Sequence, residues 1–126
     1  MDSAVNVIQV LLGIAITFGG FAKLILSYTQ FTSIKAVAWA KDFKPEHIKL
    51  LGILEVAAGI GLLLPLFLPS LTGVVPLAAV GVALYMAGAM ATHLRRSEYP
   101  LMVGNLMVFL IPALLVAYGR LVGFTV

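Results

Sequence analysis

Apolar residues in this chain do not alternate along strands or recur on one helical face; they run on in long blocks. Four blocks approach or exceed twenty residues, over about 4–26, 48–67, 71–92 and 101–124. At about 1.5 Å rise per residue, each is long enough as a helix to cross a hydrocarbon layer about 30 Å thick. Inside that layer only helices or a closed barrel satisfy the backbone, and these blocks are too long and too uniformly apolar for tilted strands. The pattern predicts an all-α protein, an integral membrane up-down four-helix bundle in which residues 1–126 form one domain. The connections around Pro65–Ser70 and His93–Pro100 are short, so successive helices are expected to be antiparallel neighbours, with prolines ending one helix and opening the next. The connection over 27–44 is longer. Its Phe31, Ile34, Val37 and Trp39 are interspersed with Gln30, Lys35 and Lys41, a pattern that suits an amphipathic segment in the membrane interface between helices 1 and 2.

Composition agrees with this reading. The chain is 62% hydrophobic and 10% charged, against about 45–50% and about 25% in soluble domains. It has no cysteine, which excludes disulfides, thiol exchange, iron–sulfur clusters and thiolate metal sites. The net charge of +3 acquires meaning once its carriers are placed. Lys23, Lys35, Lys41, Lys44 and Lys49 lie in or beside the first connection, and Arg95 and Arg96 in the third; only Arg120 lies toward the other side. The positive-inside rule then puts the first and third connections in the cytoplasm and both termini outside. The basic charge reads as a topology signal and not as a nucleic-acid surface. The first span, flanked only by Asp2, lacks the basic leader of a cleavable signal and is expected to remain in the mature protein.

Small residues suggest where helices touch. Ala79, Ala83, Ala87 and Ala91 form an i+4 row in the third span, which lets backbones approach closely, either within the bundle or across a homodimer. Ala57 with Gly61 and Gly119 with Gly123 are weaker examples, and Pro112 is expected to kink the fourth helix.

Ionisable residues inside spans are costly and mark function by default. Glu55 lies about seven residues, roughly 10 Å, into the second helix. Lys23 lies about three residues from the cytoplasmic end of the first helix, His93 closes the third and Asn105 is about four residues into the fourth, so one polar residue from each helix falls in the cytoplasmic half. Glu55 should pair with Lys23, with His93, or with both. The group is either a structural network or a pocket for a ligand or proton. Tyr85 could line it but is expected simply to pack. Arg120 either meets Gln9 or Asn6 or anchors at external headgroups, and anchoring is the expectation. No metal site is expected: His47 and His93 are the only histidines and lack ligand-like neighbours, which also leaves little basis for a haem.

Several stretches together resemble the DoxX-like family of small four-helix membrane proteins. They are Gly20-Phe21-Ala22-Lys23-Leu24, the run from Leu51-Gly52-Ile53-Leu54-Glu55 to Leu64-Pro65, Ala87-Gly88-Ala89 through His93-Leu94-Arg95-Arg96, Asn105, and Gly119-Arg120. The resemblance implies a bundle in the bacterial cytoplasmic (inner) membrane, and its namesake is the small membrane subunit of a thiosulfate:quinone oxidoreductase. Lys23, Glu55, His93 and Asn105 match positions that recur in the family, without an established catalytic role. Three functions follow as expectations. The first is an accessory or quinone-interacting subunit of an oxidoreductase complex, with partner subunits and with quinone as the one candidate cofactor. The second is a proton-coupled small-molecule transporter, although small multidrug exporters carry their glutamate in the first helix among aromatics. The third is a non-catalytic assembly protein. No nucleophile elbow or phosphate loop is present, so the chain is not expected to be a complete enzyme alone.

Overall fold

A computed structural model describes residues 2–125, with side chains over 3–122. Four long helical spans make the bundle. The first is α1 (Asp2–Ile25), followed by a short α2 (Tyr28–Thr32) and a 3-10 segment (Lys35–Asp42). The second and third spans are α3 (Pro45–Phe67) and α4 (Val74–Arg95). The fourth is built from α5 (Tyr99–Asn105), one π turn (Leu106–Leu110) and α6 (Ile111–Thr125), which follow without a break. There are no strands among the described residues. All four spans are long and apolar enough to cross a membrane. α3 packs between α1 and α4, α4 meets α5 and α6, and α6 returns to α1, closing the ring.

The ends differ from the expected ones for local reasons. Pro45 occupies the first turn of α3, where a missing N–H costs nothing, so this helix starts earlier than Ile48. Pro65 sits inside α3, which continues to Phe67, and Pro69 opens a 3-10 turn (Pro69–Leu71) before α4. The predicted disturbance near Pro112 takes the form of the π turn just before it, where the Ile111 N–H bonds to the Leu106 carbonyl.

The closest helix approach is between α1 and α3, on glycines rather than on the alanine row. A Cβ at Gly20 would lie 2.8 Å from the Gly52 carbonyl oxygen, and one at Gly52 would lie 2.9 Å from that of Gly20. Gly13 and Gly59, one heptad away on each helix, are equally crowded, Gly13 by Leu63 and Gly59 by Thr17. Of the alanine row, Ala79 and Ala83 are buried within the bundle while Ala87 and Ala91 are exposed. Each i+4 step turns about 40° around a helix of 3.6 residues per turn, so a row of four cannot stay on one contact. Gly61 packs on Ala78 and Gly119 on Val5; Gly123 lies outside the described side chains. The core between the helices is Leu12, Ile16, Leu62, Val75, Val82 and Val116 with their neighbours. Outward, Leu11, Phe18, Leu77 and Leu84 are largely exposed, as expected of side chains that face lipid tails.

The connection between α1 and α3 is ordered by its own polar groups. Ser27 and Gln30 form a capping box at the start of α2. The Tyr28 hydroxyl donates to the Phe43 carbonyl at 2.7 Å. This folds the segment back, so that Phe31, Ala40 and Ile48 form a second small core on the end of the bundle. Trp39 and Phe43 pack against it. At the other connection, Ser97 adopts a left-handed conformation (φ 57°). The Glu98 N–H reaches the His93 carbonyl at 2.8 Å and the Ser97 N–H that of Leu94 at 3.1 Å, a Schellman ending that turns the chain sharply into α5.

Candidate functional site

The α1–α3 glycine seam sets the site. Where the two backbones touch at Gly20 and Gly52, the next turns bring Lys23 of α1 and Glu55 of α3 face to face. Lys23 Nζ lies 2.5 Å from Glu55 Oε1, and both side chains are buried. Gly19 makes room for the carboxylate: a Cβ there would meet Glu55 Oε2 at 2.7 Å. Tyr85 of α4 donates its hydroxyl to the same Oε1. The expectation that Tyr85 merely packs is therefore corrected. The helices present it to Glu55, and a buried phenol needs an acceptor. A buried ion pair of this kind recovers its desolvation cost only with good geometry and added hydrogen bonds, and Tyr85 supplies one.

Aromatic rings close over the ammonium. Lys23 Nζ lies 5.4 Å from the Phe31 ring centre and 5.8 Å from that of Trp39, within cation–π range. Trp39 meets Phe31 and Phe43 edge-on, and meets His93 edge-on at 6.4 Å. His93 does not pair with Glu55, one of the expected alternatives. Its Nδ1 lies 3.0 Å from Glu98 Oε1, because the Schellman turn brings Glu98 back over the end of α4. Arg96 bonds to Asp42 at 2.8 Å and approaches Glu98 at 3.3 Å, tying the 3-10 segment to the α4–α5 connection. The hydrogen bond to His93, followed by contacts with Arg96, holds the Glu98 carboxyl below its ordinary pKa. The bonded carboxylates, Asp42 first, hold the Arg96 guanidinium above its ordinary value.

Lys23, Glu55, Tyr85, His93 and Asn105 all line one cavity of about 720 Å³ among α1, α3, α4 and α5. Its other walls are largely apolar, with Ile16, Leu84, Met86, Val108 and Phe109 among them. Asn105 donates its amide to Met86 Sδ at 3.3 Å, and its Oδ1 is buried without a hydrogen-bond partner. That oxygen can accept a hydrogen bond. Chemically, the cavity offers a carboxylate already holding two donors, an amide oxygen with a vacant lone pair, and aromatic edges. His47 is exposed in the first turn of α3, and no group of three or more His, Asp or Glu suited to a metal gathers among the described residues.

Sequence reasoning missed Trp39, Phe31 and Gly19 as parts of this site. The aromatics read as an interfacial stripe, and only the fold shows that the segment turns them onto Lys23.

Arg120 lies at the opposite end of the bundle. Its Nε donates to Gln9 Oε1 at 2.9 Å and its guanidinium also donates to Asn6. Gln9 is fully buried and donates in turn to the Leu62 carbonyl at 2.6 Å. Arg120 is thus bonded to the first helix, in correction of the anchoring expectation. Gln9 gives it a partner, and in an apolar setting a bonded guanidinium is far less costly than a free one.

No curated protein and no solved structure matches the chain. The sequence profile of the DoxX-like family matches residues 7–116, from the first span well into the fourth. With four membrane-length helices and that match over most of its length, the protein belongs to the DoxX-like family and is a multi-pass membrane protein.

Proposed function

We propose that this DoxX-like protein is a membrane subunit of an oxidoreductase complex and that it binds a quinone headgroup in the cavity beside Glu55. The observation that carries the reading is the convergence of Lys23, Glu55, Tyr85 and Asn105 from four helical elements on one apolar cavity. A quinone needs such a slot: mostly apolar, with a few placed hydrogen-bonding groups, in a volume of about 300–1,000 Å³. Asn105 Oδ1 would accept from a ring hydroxyl, and the Tyr85 hydroxyl can turn from Glu55 toward a ring oxygen. Reduction of a quinone carbonyl takes up a proton with its electrons. Glu55 is the group placed to exchange that proton, Lys23 the charge paired with it, and His93 with Glu98 the route toward the surface. The electrons come from a partner subunit with its own redox centre.

The same reading places the protein in a bacterial inner membrane, with the Lys23 end of the bundle in the cytoplasm because the basic residues gather there. The test is purification in mild detergent, followed by extraction and chemical identification of bound lipids. A quinone should accompany the native protein and be lost from Glu55→Gln. Its absence from the native protein, with no uptake when quinone is added back, would overturn the proposal.

A further inference from the structure

The cavity has a side as well as an end, and glycines mark it. Gly88 of α4 and Gly104 of α5 line the cavity, yet a Cβ at either would meet nothing within 4 Å. These glycines differ from Gly20 and Gly52, where a Cβ collides with the neighbouring helix. Their lack of side chains serves no close helix approach and leaves open space. The residues beside them belong to two surfaces at once. Leu84 is 71% exposed and Val108 58% exposed on the outside of the bundle, and both also line the cavity. Toward the Lys23 end Trp39 and Phe43 line the cavity, and their segment is tied to the α4–α5 connection by the Arg96–Asp42 pair.

We propose that the cavity opens sideways into the bilayer through the seam between α4 and α5, and that the prenyl tail of a lipid-tailed quinone lies across Gly88 and Gly104. This rests on the quinone reading and adds the route of entry and the position of the tail. Geometry supports it. Gly88 lies three residues, about 4.5 Å of helix rise, beyond Tyr85, and Gly104 adjoins Asn105. A headgroup held by Tyr85 and Asn105 therefore has its tail position at the opening, one turn away. An amphiphile dissolved in the membrane reaches the polar groups without crossing water, and its tail stays among lipid chains.

The chain contains a single tryptophan, Trp39, and it lines the cavity, so its fluorescence reports a bound quinone directly. Quenching is to be titrated in nanodiscs with a tailless quinone and with its long-tailed counterpart. The proteins are the native chain, the Gly88→Leu/Gly104→Leu double variant, and Gly81→Leu as control. Gly81 also has open space around it but is not part of the cavity wall. Leucine at the two seam positions should leave tailless binding within about twofold and weaken long-tailed binding about tenfold, the effect of denying burial to about two methylene groups. Gly81→Leu should change neither. Thermal unfolding verifies that the double variant is folded, and replacing glycine inside a helix favours folding. Equal weakening of both probes, or of neither, overturns the seam while leaving the quinone site in place. A native protein that quenches with neither probe overturns the quinone reading and the seam with it.

Discussion

Among the described residues, two polar clusters sit inside this bundle, one toward each end, and they are built on different terms. At one end, Lys23, Glu55 and Tyr85 unite opposite charges and a hydroxyl on the wall of a cavity of about 720 Å³. At the other, Arg120 is held by neutral amides, and the fully buried Gln9 between Arg120 and the Leu62 carbonyl is bonded through both its amide oxygen and its amide nitrogen. Neither Gln9 nor Arg120 lines the cavity. The second cluster is a fastening that joins α6 to α1 and α1 to α3. The first does similar work, but it also borders space and an acceptor without a partner at Asn105. A polar residue within a span thus indicates function only when its surroundings leave something for a ligand to satisfy.

The largest effect that separates the clusters should come from Lys23→Met. Removing one member of a buried ion pair strands the other, at a cost of about 3–5 kcal/mol. Adding Glu55→Gln to that variant should recover most of the loss, measured as thermal or denaturant unfolding in mild detergent. A single variant as stable as the native protein would show that the pair is not buried as described. Gln9→Leu should cost less, about 1–3 kcal/mol, because it leaves one donor of Arg120 without its acceptor and removes the side-chain donor to the Leu62 carbonyl. It should leave quinone binding unchanged, and a parallel loss of binding would erase the distinction between the two ends.

The smallest effect concerns the connection between α4 and α5 beside His93. The folded protein holds the Glu98 carboxyl below its ordinary pKa, chiefly through the His93 hydrogen bond and then through Arg96. A depressed carboxyl contributes stability above its unfolded pKa and loses it as the pH falls through the folded value. Unfolding temperatures of the native protein and Glu98→Gln should therefore differ at neutral pH and converge once the pH has fallen through the folded value. A difference that persists unchanged at low pH would rule out an ionised Glu98 as its source.

Much of the fold was legible from hydropathy alone, because a run of about twenty apolar residues has few physical solutions. That Lys23, Glu55, His93 and Asn105 lie toward one end of the bundle was legible for the same reason: residue count along a helix measures distance along its axis. Rotation about that axis was not. In sequence Tyr85 reads as packing and Arg120 as an anchor, because each one's partner is set by which face two distant helices share. Arg120 and Gln9 are separated by 111 residues. The alanine row stood out by its regularity, whereas the contacts that bring Lys23 to Glu55 are made by Gly20 and Gly52. A glycine that is crowded and one that is open look alike in sequence, as Gly52 and Gly88 show.

The central claim is that only the Lys23–Glu55–Tyr85 end binds a ligand, and Trp39 fluorescence during quinone titration tests it most directly. The native protein should show saturable quenching, Glu55→Gln should weaken it about tenfold or more, as expected from loss of a charged hydrogen-bonding group, and Gln9→Leu should match the native curve. Equal weakening by both substitutions, or quenching that never saturates in the native protein, would contradict the account.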